Sequence, residues 1–156
     1  MHLRHALLLG ACALMTPTAC TRVSPPVPDP ALEANRQVVL DFYKQGLTGL
    51  EPRAAFERYV SPDFVEHKPD VPEGTRDATV TFLEGLIREM PAPRWEVVRT
   101  IAEGDLVFLH ARFTPADGAP PYAIADVFRI RGGKIVEHWD VVAGPVASSP
   151  NPHARF

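Results

Sequence analysis

Cysteine is nearly missing from this 156-residue chain: the two present, Cys12 and Cys20, both fall within the first twenty positions. Everything after them must fold without a disulfide framework. Basic residues are also in short supply, 16 Lys and Arg against 19 Asp and Glu, for a net charge of −3. There is no basic patch of the kind nucleic acid requires. The apolar run Ala6–Met15 is too short for a membrane-spanning helix, which needs ~20 residues. No internal repeat is visible. No Cys pair or His-x-x-x-His occurs, so His67, His138, Asp126 and Asp140, although ligand types, are not expected to hold a metal. No nucleophile elbow surrounds Ser24, Ser61, Ser148 or Ser149, which excludes a serine hydrolase of that kind.

What is present begins with a leader. Arg4, between two histidines, precedes the apolar run, and Thr18-Ala19-Cys20 closes it with small residues, the layout of a secretory signal. The segment resembles a bacterial lipoprotein signal, which implies a lipid on Cys20; Leu9-Gly10-Ala11-Cys12 matches the usual box better but leaves a short apolar core, and plain secretion also fits. Residues 1–19 are thus expected to be removed, leaving 15 basic and 19 acidic residues. Residues 20–30, with four prolines in Thr21–Pro30, make an extended tether. Residues 144–156 look like an irregular tail. Between them, residues 31–143 are the usual size of one domain.

Within that domain, helices come first and strands after. Pro30 can open a helix whose apolar stripe is Val39, Phe42, Tyr43, Gly46 and Leu47. Pro52–Tyr59 reads as a second helix, Asp63–His67 as a short strand and Thr75–Met90 as a third helix, ended by Pro91. Strands follow at Trp95–Ala102, Asp105–Thr114, Tyr122–Ile130 and Lys134–Val142. The expected architecture is α+β: three N-terminal helices packed on one face of a curved antiparallel sheet, forming a cone-shaped domain.

The stretch Tyr122–Val142 is the most informative. Gly132-Gly133 supplies the positive φ of a hairpin turn. A three-residue loop of Arg131, Gly132 and Gly133 sets Asp126 opposite His138. Alternation then puts Asp126, Phe128, His138, Asp140 and Val142 on one face. Acids and an imidazole on a half-apolar face suggest a lined pocket, although a solvent-facing edge has the same pattern.

The run Val127–Val142 resembles the final hairpin of the SnoaL-like polyketide cyclases, in the nuclear-transport-factor-2-like (cystatin-like cone) superfamily. Phe64-Val65-Glu66-His67-Lys68-Pro69 resembles the same group's strand with a histidine near a proline. Similarity to ketosteroid isomerases within that superfamily implies Tyr43 as the helix-one tyrosine, His67 in place of the aspartate base, and Asp126 as the second acid. Similarity to limonene-epoxide-hydrolase-like enzymes implies a catalytic role for Asp140, but Val107 and Leu109 stand where a partner Arg and Asp would be expected. Phe113 matches a pocket-facing aromatic, which leaves His110 outside. The resemblance therefore implies catalytic His67, Asp126, Tyr43 and Asp140, with His138, Phe128, Val142, Phe64 and Phe113 lining the pocket.

The implied activity is acid/base chemistry without a cofactor, an aldol-type cyclisation or isomerisation of a small apolar carbonyl compound. His67 would take or relay the proton, while a protonated Asp126 and Tyr43 would donate to the oxyanion. A rival class stays open: a non-catalytic, lipid-anchored module that binds a small ligand or a protein. Tyr43 equally suits packing, His67 a surface site, and Asp126–His138 a structural pair. Arg129, Glu137 and Trp139 on the opposite face suggest a homodimer contact.

Overall fold

The computed structural model describes residues 29–146, 148–153 and 155–156; the leader, with Cys12 and Cys20, lies outside the described residues. Helix α1, Pro30–Tyr43, starts where Asp29 caps it, its side chain accepting from the Ala31 N–H at 2.9 Å, with proline at the first helical position. The helix continues as one π-helical turn, Lys44–Thr48, carrying Gly46 and Leu47 onto the buried side. A Cβ on Gly46 would lie 2.9 Å from that of Ala55, so glycine lets helix α2, Pro52–Tyr59, approach closely. Helix α3, Arg76–Glu89, is capped by the Thr75 hydroxyl and stops where Met90, preceding Pro91, turns extended.

Strand β1, Val60–Glu66, follows α2 directly. Strands β2 (Arg94–Glu103), β3 (Leu106–Thr114), β4 (Tyr122–Arg131) and β5 (Lys134–Ala143) form an antiparallel meander. The sheet order is β1-β5-β4-β3-β2, and β1 pairs with β5 in parallel. The all-antiparallel sheet expected from sequence is therefore corrected at one edge. Strand direction depends on a partner about 70 residues away, and periodicity within β1 carries no such information. The α+β class and the three helices covering one sheet face stand as expected.

The inner sheet face and the helices share one core. Val107, Leu109, Ala111 and Phe113 alternate inward along β3. Phe42 meets Phe56 and Phe128 edge-on, with ring centroids 5.2 and 5.9 Å apart, tying the first two helices to the sheet.

The β4–β5 hairpin differs from the expected loop. Arg131 pairs with Lys134, so the turn is the two residues Gly132 and Gly133, both with positive φ. A two-residue turn alone would leave Asp126 inward but send His138 and Asp140 to the outer face. One extra β5 residue between the Ile130–Ile135 and Arg129–Glu137 pairs returns them. Asp126 accordingly faces Asp140, and Phe128 faces His138, in place of the expected Asp126–His138 pairing. The net offset from expectation is two residues, which leaves the inward face unchanged.

Candidate active site

Between α3, the first two helices and the concave sheet face lies a cavity of about 290 Å³. Most of its wall is apolar: Phe82, Leu83 and Leu86 from α3 and Met90 just after it, with Trp95, Phe113 and Tyr122 from the sheet. Trp95 and Phe113 stack at 4.5 Å, and Tyr122 leans on Phe113 at 5.7 Å. The polar residues gather where β1, β5 and β4 run side by side, so the cavity has an aromatic region and a charged region.

The charged region is a chain of hydrogen bonds. The Tyr43 hydroxyl donates to Asp126 Oδ2 at 2.8 Å. His138 Nε2 lies 3.2 Å from Asp126 Oδ1, a diagonal contact across the hairpin. His138 Nδ1 lies 2.9 Å from both oxygens of Glu66, and the Lys68 backbone N–H donates to Glu66 Oε1 at 3.0 Å. Beside this chain, Lys68 Nζ donates to Asp140 Oδ2 at 2.9 Å and lies 3.4 Å from Asp70. The side chains of Glu66, Asp126 and Asp140 are 2%, 7% and 10% exposed. Three acids withdrawn this far from water need partners, and each has one.

Both His138 nitrogens face carboxylates, so both carry protons and the ring is an imidazolium. Burial opposes that charge, but the hydrogen bonds and charges of Asp126 and Glu66 outweigh it, and the pKa is pushed up to about 10. Phe128 stacks on the ring at 4.6 Å and fixes its plane. Burial, then the Asp126 charge, holds Tyr43 well above the ordinary tyrosine range, so its hydroxyl stays a donor. For Lys68, burial pulls downward but is overcome by Asp140, and the ammonium is held above its usual value.

Of the residues expected at the site, Tyr43, Asp126, His138, Asp140, Phe64, Phe113, Phe128 and Val142 line this cavity. His67 does not. It stacks on Trp139 on the outer face, ring centroids 4.6 Å apart, with its Nε2 3.2 Å from Glu137. The reason is strand parity: Phe64 points inward, so Glu66 does too, while Val65 and His67 point out. Phe64 and His67, three positions apart, cannot share one face of a regular strand. The same parity was the available signal for Glu66, which sequence matching passed over in favour of its neighbour. Asp126 sits between two partners, the Tyr43 hydroxyl at one oxygen and His138 Nε2 at the other. The same two-residue step from Phe64 and Glu66 reaches Lys68, which also lines the cavity. Among the described residues no group of three or more His, Cys, Asp or Glu side chains is arranged to hold a metal.

Comparison with known structures places the chain among proteins of the same architecture. A SnoaL-like polyketide cyclase, so named, from Jannaschia sp. CCS1 superposes with a TM-score of 0.64 at 20% identity, over 76% of this chain and 91% of that one. AclR from Streptomyces galilaeus gives 0.61 at 23%, over 72% and 90%. IdmH from Streptomyces antibioticus, named as a polyketide cyclase, gives 0.58 at 20%, over 69% and 91%. At these identities the likeness establishes the fold. No curated protein matches in sequence. The SnoaL-like domain family model matches residues 39–138, from α1 to the half-buried histidine of β5. The chain belongs to the SnoaL-like domain family.

Proposed function

We propose that this chain is an exported acid/base enzyme that cyclises, by an aldol-type step, or isomerises a small, largely apolar carbonyl compound without a cofactor. The observation that carries this is the seating of Asp126: a carboxylate in an apolar cavity, gripped at one oxygen by Tyr43 and at the other by His138. A base so fixed removes a proton from the carbon beside a carbonyl, and the bonding pair moves onto the carbonyl oxygen. The imidazolium of His138 and the ammonium of Lys68 supply the positive field that favours that enolate. In an aldol-type step the enolate carbon then bonds to a second carbonyl carbon, and Asp126 returns the proton to the new alkoxide. Glu66 holds the imidazole in place from behind. The base role expected of His67 thus passes to Asp126, and solved relatives named as polyketide cyclases support the class.

The test is deuterium exchange, followed by proton NMR, at the activated carbons of aryl ketones and diketones. Wild type should accelerate exchange, and Asp126→Asn should lose ~100-fold or more. Equal exchange by both proteins would sink the base assignment, and none by wild type across the panel would sink the enzyme reading.

One observation favours a second reading, a non-catalytic binding module. Every member of the Tyr43–Asp126–His138–Glu66 chain already has a protein partner, as in a network that shapes a pocket without reacting. A small molecule co-purifying with a catalytically silent wild type in native mass spectrometry would support it.

The leader supports export and a lipid anchor at Cys20, which would hold the domain at a membrane surface. Cys20→Ala should release it into the soluble fraction, and equal partitioning of both proteins would refute the anchor. A homodimer through the outer sheet face is supported by the partly exposed Trp139 and by Val141, 70% exposed beside it. A monomeric mass in light scattering at micromolar concentration would refute it.

A further inference from the structure

We propose that the ligand of this cavity is an organic cation: a protonated amine on an aromatic or aliphatic body, its ammonium seated between Asp140 and Asp126. The inference rests on the cavity being a small-molecule site, and is independent of whether chemistry occurs there. If it does, the carbonyl compound proposed above carries the amine.

Formal charge is the first support. Glu66, Asp126 and Asp140 bring three negative charges to the inner wall, and His138 and Lys68 bring two positive ones. Each ring nitrogen of His138 faces a carboxyl group, the arrangement that favours the doubly protonated ring. The acids thus outnumber the bases by one at the inner end of a mostly apolar-walled cavity. Unbalanced buried charge is costly, and a cation entering the cavity relieves it.

Placement is the second support. Asp126 and Asp140 sit directly opposite each other on β4 and β5. Asp126 spends its oxygens on Tyr43 and His138, and Asp140 spends Oδ2 on Lys68. Asp140 Oδ1 accepts no hydrogen bond among the described residues, although the side chain lines the cavity. That oxygen is open to a donor arriving from the cavity. The third support is the rest of the wall. Leu83, Leu86, Met90, Trp95, Phe113 and Tyr122 leave the hydrophobic body nothing but apolar and aromatic surface to lie on. A carboxylate or phosphate at the inner end would meet three acids.

The experiment is calorimetric titration of the protein with three matched ligands: naphthylmethylamine, naphthylmethanol and naphthoate. The amine should bind at least about tenfold more tightly than the alcohol, and the acid more weakly than either. Asp140→Asn should bring the amine-to-alcohol ratio to within about twofold, while Lys68→Met, which adds to the negative surplus, should raise it. The opposite signs keep the test decisive even if one variant fails to fold. An alcohol as tight as the amine, or an acid tighter than both, overturns the cation assignment and leaves the small-molecule cavity standing. Failure of all three to bind overturns both.

Discussion

Raising the pH should strip stability from this protein well before its lysines and tyrosines titrate, and His138 is the reason. Its pKa moves from the ordinary 6.5 to about 10 on folding. The native state therefore binds this proton more tightly than the unfolded chain does. The stabilisation is complete below about pH 6.5, shrinks as pH climbs, and is gone by about pH 10. A tenfold tighter hold on a proton corresponds to about 1.4 kcal/mol, so the rise of His138 amounts to on the order of 4–5 kcal/mol. A domain of this size typically has ~5–15 kcal/mol in all, so the loss is a large fraction. Other groups leave the window clear. Tyr43 and Lys68 are also raised, so their contributions are lost only above about pH 10. His110 is lowered by burial and by Arg99, so its contribution is lost as pH falls and does not oppose the effect at alkaline pH. The assay is urea unfolding at intervals between about pH 7 and 9.5, with a slope near ~1.4 kcal/mol per pH unit expected. His138→Gln should abolish that slope and cost about 3 kcal/mol at neutral pH, because Glu66 and Asp126 lose their shared cation. A flat wild-type profile, or the same slope in His138→Gln, would refute the assignment of a buried imidazolium.

His67→Ala, on the outer face against Trp139, should leave deuterium exchange within about twofold of wild type; a ~100-fold loss would return the base role to His67. Leu109→Ala, at a fully buried site on β3, should cost about 2–5 kcal/mol by thermal or urea melts, and a cost under about 1 kcal/mol would contradict the packing described. Gly74→Ala should destabilise more than Gly118→Ala: both have positive φ, but only at Gly74 would the new methyl meet backbone, 2.6 Å from the Glu66 carbonyl oxygen. Equal melting temperatures for the two would count against that close approach.

The order and kind of the elements could be read from local pattern. Pro30, Pro52 and Thr75 mark helix starts, Pro91 a stop, and the apolar stripes and alternating strands do the rest. These signals lie within a few residues of the structure they specify, which is why the α+β class was legible. The inward set on β4 and β5 was legible too, because side-chain parity survives a two-residue error in register. Tertiary structure decided what depends on distant partners. That β1 runs parallel to β5 follows from pairing between Val60 and Ile135 and between Glu66 and His138, pairs no local window contains. That pairing brings Glu66 to His138 and Lys68 to Asp140, turning two separate acidic strands into one charged network. It also sends His67 outward, since a strand that turns Phe64 and Glu66 to the core must turn Val65 and His67 away. Residue types and alternation thus determined which side chains could meet in a cavity. The charge on His138 and the surplus on the acids came only from distances that long-range pairing sets.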